Sequence, residues 1–210
     1  CYPVMVRPSY VLGGRAMEVV YDRADLDRYM RESLMPSAEN PVLIDRFLQS
    51  ATEVDLDLVC DATGACIVGG VLEHVEEAGV HSGDAACVLP PHSLAPDVIE
   101  RLKDIAISLS RELKVVGLMN VQFAVQGKAI YVLEVNPRAS RTVPFIAKAT
   151  GVALAKVAAL CMAGKTLAEQ GLTKDPEMHH YAVKESVFPF ARFTNTDVIL
   201  GPEMKSTGEV

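Results

Sequence analysis

Two oxygen-bearing segments lie close together in this 210-residue chain: Asn120-Val121-Gln122-Phe123 and Glu134-Val135-Asn136-Pro137-Arg138, with a Gln126-Gly127-Lys128 turn between them. Gln122, Glu134 and Asn136 offer hard oxygens, and Arg138 adds a guanidinium. Glu134 and Asn136 are two apart, so on a strand they share one face. The runs 118–125 and 129–135 read as strands joined by a glycine-containing turn. Such a hairpin brings Gln122 opposite residue 133 or 134, depending on loop length. Hard oxygens suit Mg²⁺ or Mn²⁺, usually shared with substrate phosphates. An arginine beside such ions suits a phosphoryl group. The competing expectation is an exposed strand face that carries Glu and Asn without a ligand.

Other groups give weaker signals. Arg7 ends a strand just before Gly13-Gly14, where glycines let backbone N–H groups approach an anion, although a plain turn has the same pattern. Gly79 and Gly83 bracket Val80, His81 and Ser82 in a polar, anion-friendly loop. Glu53 opens an acidic strand face on which Asp55 and Asp57 read as solvated. His74 in a strand and the His179-His180 pair read as structural or solvated. Arg138 and Arg141 read as surface charges unless the acidic cage is real. No Ser-His-Asp spacing or nucleophile elbow suggests covalent catalysis.

The elements that must position these groups follow from pattern. Strands are expected at 3–7, 17–21, 42–48, 53–60, 66–73 and 86–89, and in the hairpin. The alternation Val54, Leu56, Leu58 against Glu53, Asp55, Asp57 predicts a half-buried antiparallel sheet. A helix is expected at 23–34, capped by Asp22, with Leu26, Tyr29 and Met30 as its apolar stripe. The clearest helix is 96–113, opened by Pro96, with Val98, Leu102, Ile105, Ala106 and Leu109 at helical spacing. Shorter helices are expected at 144–150 and 153–163, ended by Gly151 and Gly164. A last strand is expected at 181–188. Strands, a helix, strands, a helix, a hairpin and helices make an α+β fold with a mostly antiparallel sheet.

Half of the residues are apolar, enough for a substantial core, and the net charge is −7 with no basic block, which argues against nucleic-acid binding. No apolar run reaches membrane-spanning length, so no membrane partner is expected. The five cysteines are an odd number without zinc-knuckle spacing, so buried reduced thiols are expected. The chain opens at Cys1, almost directly in a strand, and reads as a piece of something longer.

Together these residues resemble an ATP-grasp domain, and within that class the carbamoyl phosphate synthase large chains. The resemblance is carried by Val6-Arg7-Pro8-Ser9-Tyr10-Val11-Leu12-Gly13-Gly14-Arg15, by Glu73 to Asp84 with its Gly79-Val80-His81-Ser82-Gly83-Asp84 core, by Gly117 to Val125, by Glu134 to Thr142, and by Lys148-Ala149-Thr150-Gly151. It covers nearly the whole chain. The wording around Gly79, Gly117 and Arg141 is similar to the C-terminal of the family's two ATP-grasp halves. That half phosphorylates carbamate; the other makes carboxyphosphate from bicarbonate, which ammonia from glutamine converts to carbamate.

The resemblance implies roles residue by residue. Arg7 contacts ATP phosphates, Gly13 and Gly14 belong to a phosphate-covering loop, and Arg46 and Leu48 line the nucleotide pocket with Glu53 at the ribose. Gly79, Val80, His81 and Ser82 line the same pocket. Gln122, Glu134 and Asn136 hold two Mg²⁺ or Mn²⁺ ions, with K⁺ as an additional candidate, and Arg138 faces the transferred phosphoryl group. ATP, carbamate, the rest of the large chain and a glutaminase small subunit are the implied partners, in the cytoplasm or an organelle. Residues 1–175 would be ATP-grasp domain without its N-terminal part. Residues 176–210 would close that domain and begin a linker. Whether the segment acts alone stays open. Two other readings remain: another ATP-grasp ligase such as a carboxylase component, and a nucleotide-binding regulatory module without turnover.

Overall fold

The computed structural model describes residues 2–9, 16–32, 41–192 and 198–210, so Cys1, Gly13 and Gly14 lie outside the described residues. The chain divides into two compact units. The first comprises Cys1–Ser50, Glu77–Ala85 and Ser186–Glu209; the second holds Ala51–Glu76 and Ala86–Glu185, with Val210.

In the first unit, β1 (Val4–Pro8) sits between β2 (Glu18–Val20) and β3 (Val42–Arg46), antiparallel to both. Helix α1 (Arg23–Glu32) starts where expected: the Asp25 amide donates to the Asp22 carboxylate at 2.9 Å, which satisfies one orphan donor of the first turn. Its Tyr29 is buried with Val6 and Val20, and its hydroxyl donates to the Ala16 carbonyl at 2.6 Å. The same unit holds the 77–85 loop. There the Asp84 carboxylate accepts from the Lys205 and Ser206 amides at 2.7 and 2.9 Å.

The second unit is built on a six-stranded sheet of β4 (Thr52–Cys60), β5 (Cys66–His74), β6 (Cys87–Leu89), β7 (Gly117–Gln126), β8 (Ala129–Asn136) and β9 (Ala182–Lys184). The order is β8-β7-β4-β5-β6-β9, and every pairing is antiparallel. Helix α2 (Pro96–Glu112) covers one face: Val98, Leu102 and Ala106 pack on Val54, Leu56, Leu58, Met119, Val121 and Phe123. Each large apolar side chain so buried contributes about 1.5–3 kcal/mol. Part of the other face carries α3 (Val143–Thr150) and α4 (Leu154–Met162). Gly151, at φ 75°, ends α3 in the left-handed conformation, as its position suggested.

Two glycines let those helices approach. A bulge between Asp57 and Leu58 leaves Gly69 as the extra residue of β5. A Cβ built at Gly69 would lie 2.6 Å from Leu154 Cδ1, and one at Gly70 would lie 3.1 Å from both Ile146 and Leu89. Among the described residues no single helix is long and apolar enough to cross a membrane.

The half-buried sheet expected at β4 is corrected. Asp55 and Asp57 are 2% and 0% exposed, so both faces of the strand are covered. Alternation of polar and apolar residues marks two chemically different faces, not one wet face. The expected strand at 181–188 is also shorter, Ala182–Lys184.

Candidate cation and phosphate site

The hairpin register settles which residue meets Gln122. The two strands turn through Gly127 and Lys128, with Gln126 opposite Ala129, and a bulge between Gln122 and Phe123 brings Glu134 opposite Gln122. Leu133 is the extra residue. Ile130 and Val135 both pack on the α2 core although they are five apart, which a strand of period two permits only through such a bulge.

Two cross-strand rows therefore share the face away from α2. One runs Asp55, Gln122, Glu134; the next runs Asp57, Asn120, Asn136. Gln122 and Asn136 are half-buried and Glu134 is exposed. Arg138 turns back on the row end: its Nη2 donates to Asn136 Oδ1 at 3.3 Å and its Nη1 to the Ala139 carbonyl at 3.1 Å.

The buried members of these rows hold the site in place. Ser140 Oγ lies 2.6 Å from one Asp57 carboxyl oxygen, Thr142 Oγ1 is hydrogen-bonded to the other, and the two hydroxyl oxygens are 2.7 Å apart; two hydroxyl protons fill all three contacts only when the Asp57 carboxyl supplies a third. The segment that carries Arg138 is thus pinned at Asn136 and again at Ser140. Burial pushes the Asp57 carboxyl up to about 7, against the two hydroxyl hydrogen bonds.

In the other row, His74 Nε2 lies 2.9 Å from Asp55 Oδ2, and its Nδ1 lies 3.6 Å from Glu53 Oε2. Asn120 Nδ2 donates to Asp55 Oδ1 at 3.2 Å. Burial opposes charge on His74, but the Asp55 carboxylate and the Cys87 sulfur together outweigh it and raise the imidazole to about 10. Burial likewise opposes charge on Asp55, yet the His74 hydrogen bond and charge hold its carboxyl below the usual range. An imidazolium so placed links Glu53 to the Asp55 row.

The second unit therefore brings Gln122, Glu134, Asn136 and Arg138 together, with Glu53 tied in through His74. The first unit holds the other expected contacts. Arg7 Nε pairs with Asp45 Oδ2 at 2.9 Å, both side chains being exposed. Arg46 ends β3, and the Arg46-to-Leu48 stretch meets the 79–82 loop through Phe47: a Cβ at Gly79, where φ is 107°, would lie 3.1 Å from the Phe47 ring. His81 is tied into its loop, its Nδ1 accepting from the Gly83 amide at 2.9 Å and its own amide donating to Gly201.

Sequence reasoning passed over Asp55, Asp57, His74, Ser140 and Thr142. The alternating charges of β4 carry no signal of burial, since the same pattern marks a wet face.

The donor set fits a hard divalent cation in one particular way. Among the described residues no three His, Cys, Asp or Glu side chains converge as a metal cage. The row supplies a single exposed carboxylate and two amide oxygens. Such a set leaves coordination positions open, which suits an ion that also binds phosphate oxygens.

The sheet and helices are those of a partial ATP-grasp domain. The biotin carboxylase domain of Hydrogenobacter thermophilus 2-oxoglutarate carboxylase, a crystal structure with MgADP, ADP and bicarbonate, matches with a TM-score of 0.70. Identity is 18%, over 89% of this chain and 41% of that one. Biotin carboxylase from Campylobacter jejuni, as its β,γ-ATP complex, gives 0.72 at 17% identity over 90% of this chain and 42% of that one. Identities this low speak for the fold alone.

The chain belongs to the family of the carbamoyl-phosphate synthase L chain, ATP binding domain, which it matches over residues 1–170. A carbamoyl phosphate synthase large chain from Myxococcus xanthus (strain DK1622) is 77% identical over 209 residues, covering 100% of this chain and 19% of the relative. One from Xanthomonas axonopodis pv. citri (strain 306) is 60% identical over 214 residues, covering 100% and 20%. The chain thus spans about a fifth of the length of these relatives.

Proposed function

We propose that this segment, within its intact protein, phosphorylates carbamate with ATP to give carbamoyl phosphate, as the C-terminal ATP-grasp half of a carbamoyl phosphate synthase large chain. One observation carries the chemistry: Gln122 opposite Glu134, with Asn136 in the adjacent row and Arg138 against it. Family membership and close relatives of that name support the substrate class. In this reading Gln122, Glu134 and Asn136 hold Mg²⁺ or Mn²⁺, which when bound offsets charge on the transferring phosphoryl group. Arg138 supplies a fixed cation for the same oxygens. Asp57, Ser140 and Thr142 act on Arg138 as positioning residues. Arg7, Gly13, Gly14, Arg46, Leu48, Glu53, Gly79, Val80, His81 and Ser82 are proposed as nucleotide contacts. The protein forms no covalent intermediate; it orients two substrates and neutralises charge.

A glutaminase small subunit as ammonia source, a cytoplasmic location and a place in arginine and pyrimidine synthesis belong to the same reading. The test is Glu134→Gln in the intact protein, assayed by ATP formation from ADP and carbamoyl phosphate. Loss of at least about a hundredfold is expected, the scale for removing one preorganised charge contact. A near wild-type rate overturns the assignment.

A further inference from the structure

Away from the polar rows, at the far end of β4, two cysteines face each other. Cys60 and Cys66 are direct partners in the β4–β5 ladder, at the base of the Asp61-to-Ala65 turn. Directly opposed residues hold their Cβ atoms within about 4.5–5.5 Å, close to the separation a disulfide spans. Their sulfurs lie 2.6 Å apart, well within two sulfur van der Waals radii and close to the disulfide bond length of about 2.05 Å. The Cys66 sulfur is also 3.4 Å from Ser110 Oγ. Cys60 is buried and Cys66 half-buried, both lining an open groove of about 610 Å³ with Thr63, Ser110, Arg111 and Lys114.

We propose that Cys60 and Cys66 form a reversible thiol-oxidation site, at which hydrogen peroxide closes a disulfide across the tip of the β4–β5 hairpin. Cys66 is the attacking sulfur. Its hydrogen bond from Cys60 and the nearby Arg111 lower it to about 6, while Cys66 and burial hold the Cys60 thiol protonated. The Cys66 thiolate takes one oxygen from the peroxide, which is reduced to water, and becomes a sulfenic acid. The Cys60 sulfur then attacks the Cys66 sulfur; the S–O bond breaks, and the Cys60 proton leaves with that oxygen as a second water. Two thiols and one peroxide thus yield one disulfide and two waters, and a dithiol reductant reverses the change. In a reducing compartment, disulfides are chiefly of this transient, sensing kind. Cys87 and Cys161 are buried apart from this groove and are outside the proposal.

The test uses the intact, reduced protein treated with hydrogen peroxide, alkylated and mapped by peptide mass spectrometry. The expected product is a 60–66 segment lighter by two hydrogens, restored by dithiothreitol. Before oxidation, Cys66 should alkylate at least about tenfold faster than Cys87 or Cys161, as a depressed thiol should. In Cys60→Ser the sulfenic acid at Cys66 should persist and be trapped by dimedone. Equal alkylation of Cys60 and Cys66 with and without peroxide overturns the proposal, as does oxidation of Cys66 beyond sulfenic acid with no disulfide formed. The wild-type mapping decides the matter even where the serine variant misfolds, and neither readout depends on nucleotide binding.

Discussion

Burial and hydrogen bonding pull Asp57 in opposite directions, and burial prevails. Its carboxyl titrates at about 7 in the folded protein against an ordinary 3.8. The folded state binds this proton more tightly, so the associated stability is complete below the ordinary value and is lost as pH rises through about 7. One group acting alone gives at most about 1.4 kcal/mol per pH unit. Asp57→Asn has no proton to lose. Urea unfolding of both proteins between about pH 5 and 8 should therefore show the variant gaining on wild type as pH rises. Parallel curves would sink the assignment. His74 moves in a higher window: its raised value gives stability that is full below 6.5 and fades toward about 10. Neither residue was legible in the sequence. A charge at every second position is the pattern of a wet face, and only the covering elements and hydroxyl partners, 83 and 85 residues away, reveal a buried one.

Among the elements, the hairpin was the most legible. Alternation, a Gly-Lys turn and two acceptor segments suffice to place Gln122 near Glu134. The bulge was not legible, because Leu133 is one apolar residue in a run of them. Helices α2 and α3 could also be read, since Pro96 opens one and Gly151 closes the other. Their seats on the sheet could not. Gly69 and Gly70 lie inside the expected strand 66–73, and they are where α4 and α3 touch it. Adding side-chain volume at Gly70 must displace Ile146 or Leu89, which are 0% and 2% exposed. Gly70→Val should cost about 1–3 kcal/mol in urea or thermal unfolding, the usual penalty of overpacking. An unchanged midpoint would mean that α3 is not seated on β5 as described.

At the scale of the molecule, the chain carries a net charge of −7, and a cation at the proposed site would offset the charge of the anions it receives. Adding MgADP to the intact protein should raise its stability by about 2.7 kcal/mol at a hundredfold excess over Kd, read as a shift in thermal midpoint. EDTA should remove most of that gain, and Glu134→Gln should remove its metal-dependent part. A gain indifferent to EDTA counts against the cation role of Glu134. Fold class and family could be read from sequence because both rest on long runs of ordered local pattern. The division into two units could not, because the first gathers residues 77–85 and 186–209 from distant parts of the chain.

The extra residue at Leu133 gives the acceptor strand an asymmetric tolerance to changes in length. Losing one residue anywhere from Ala129 to Leu133 would flatten the bulge and leave Glu134 facing Gln122. Gaining one would have to widen the bulge or turn Glu134 and Asn136 toward α2. Variants of this hairpin should therefore accumulate deletions on that side of the turn far more readily than insertions.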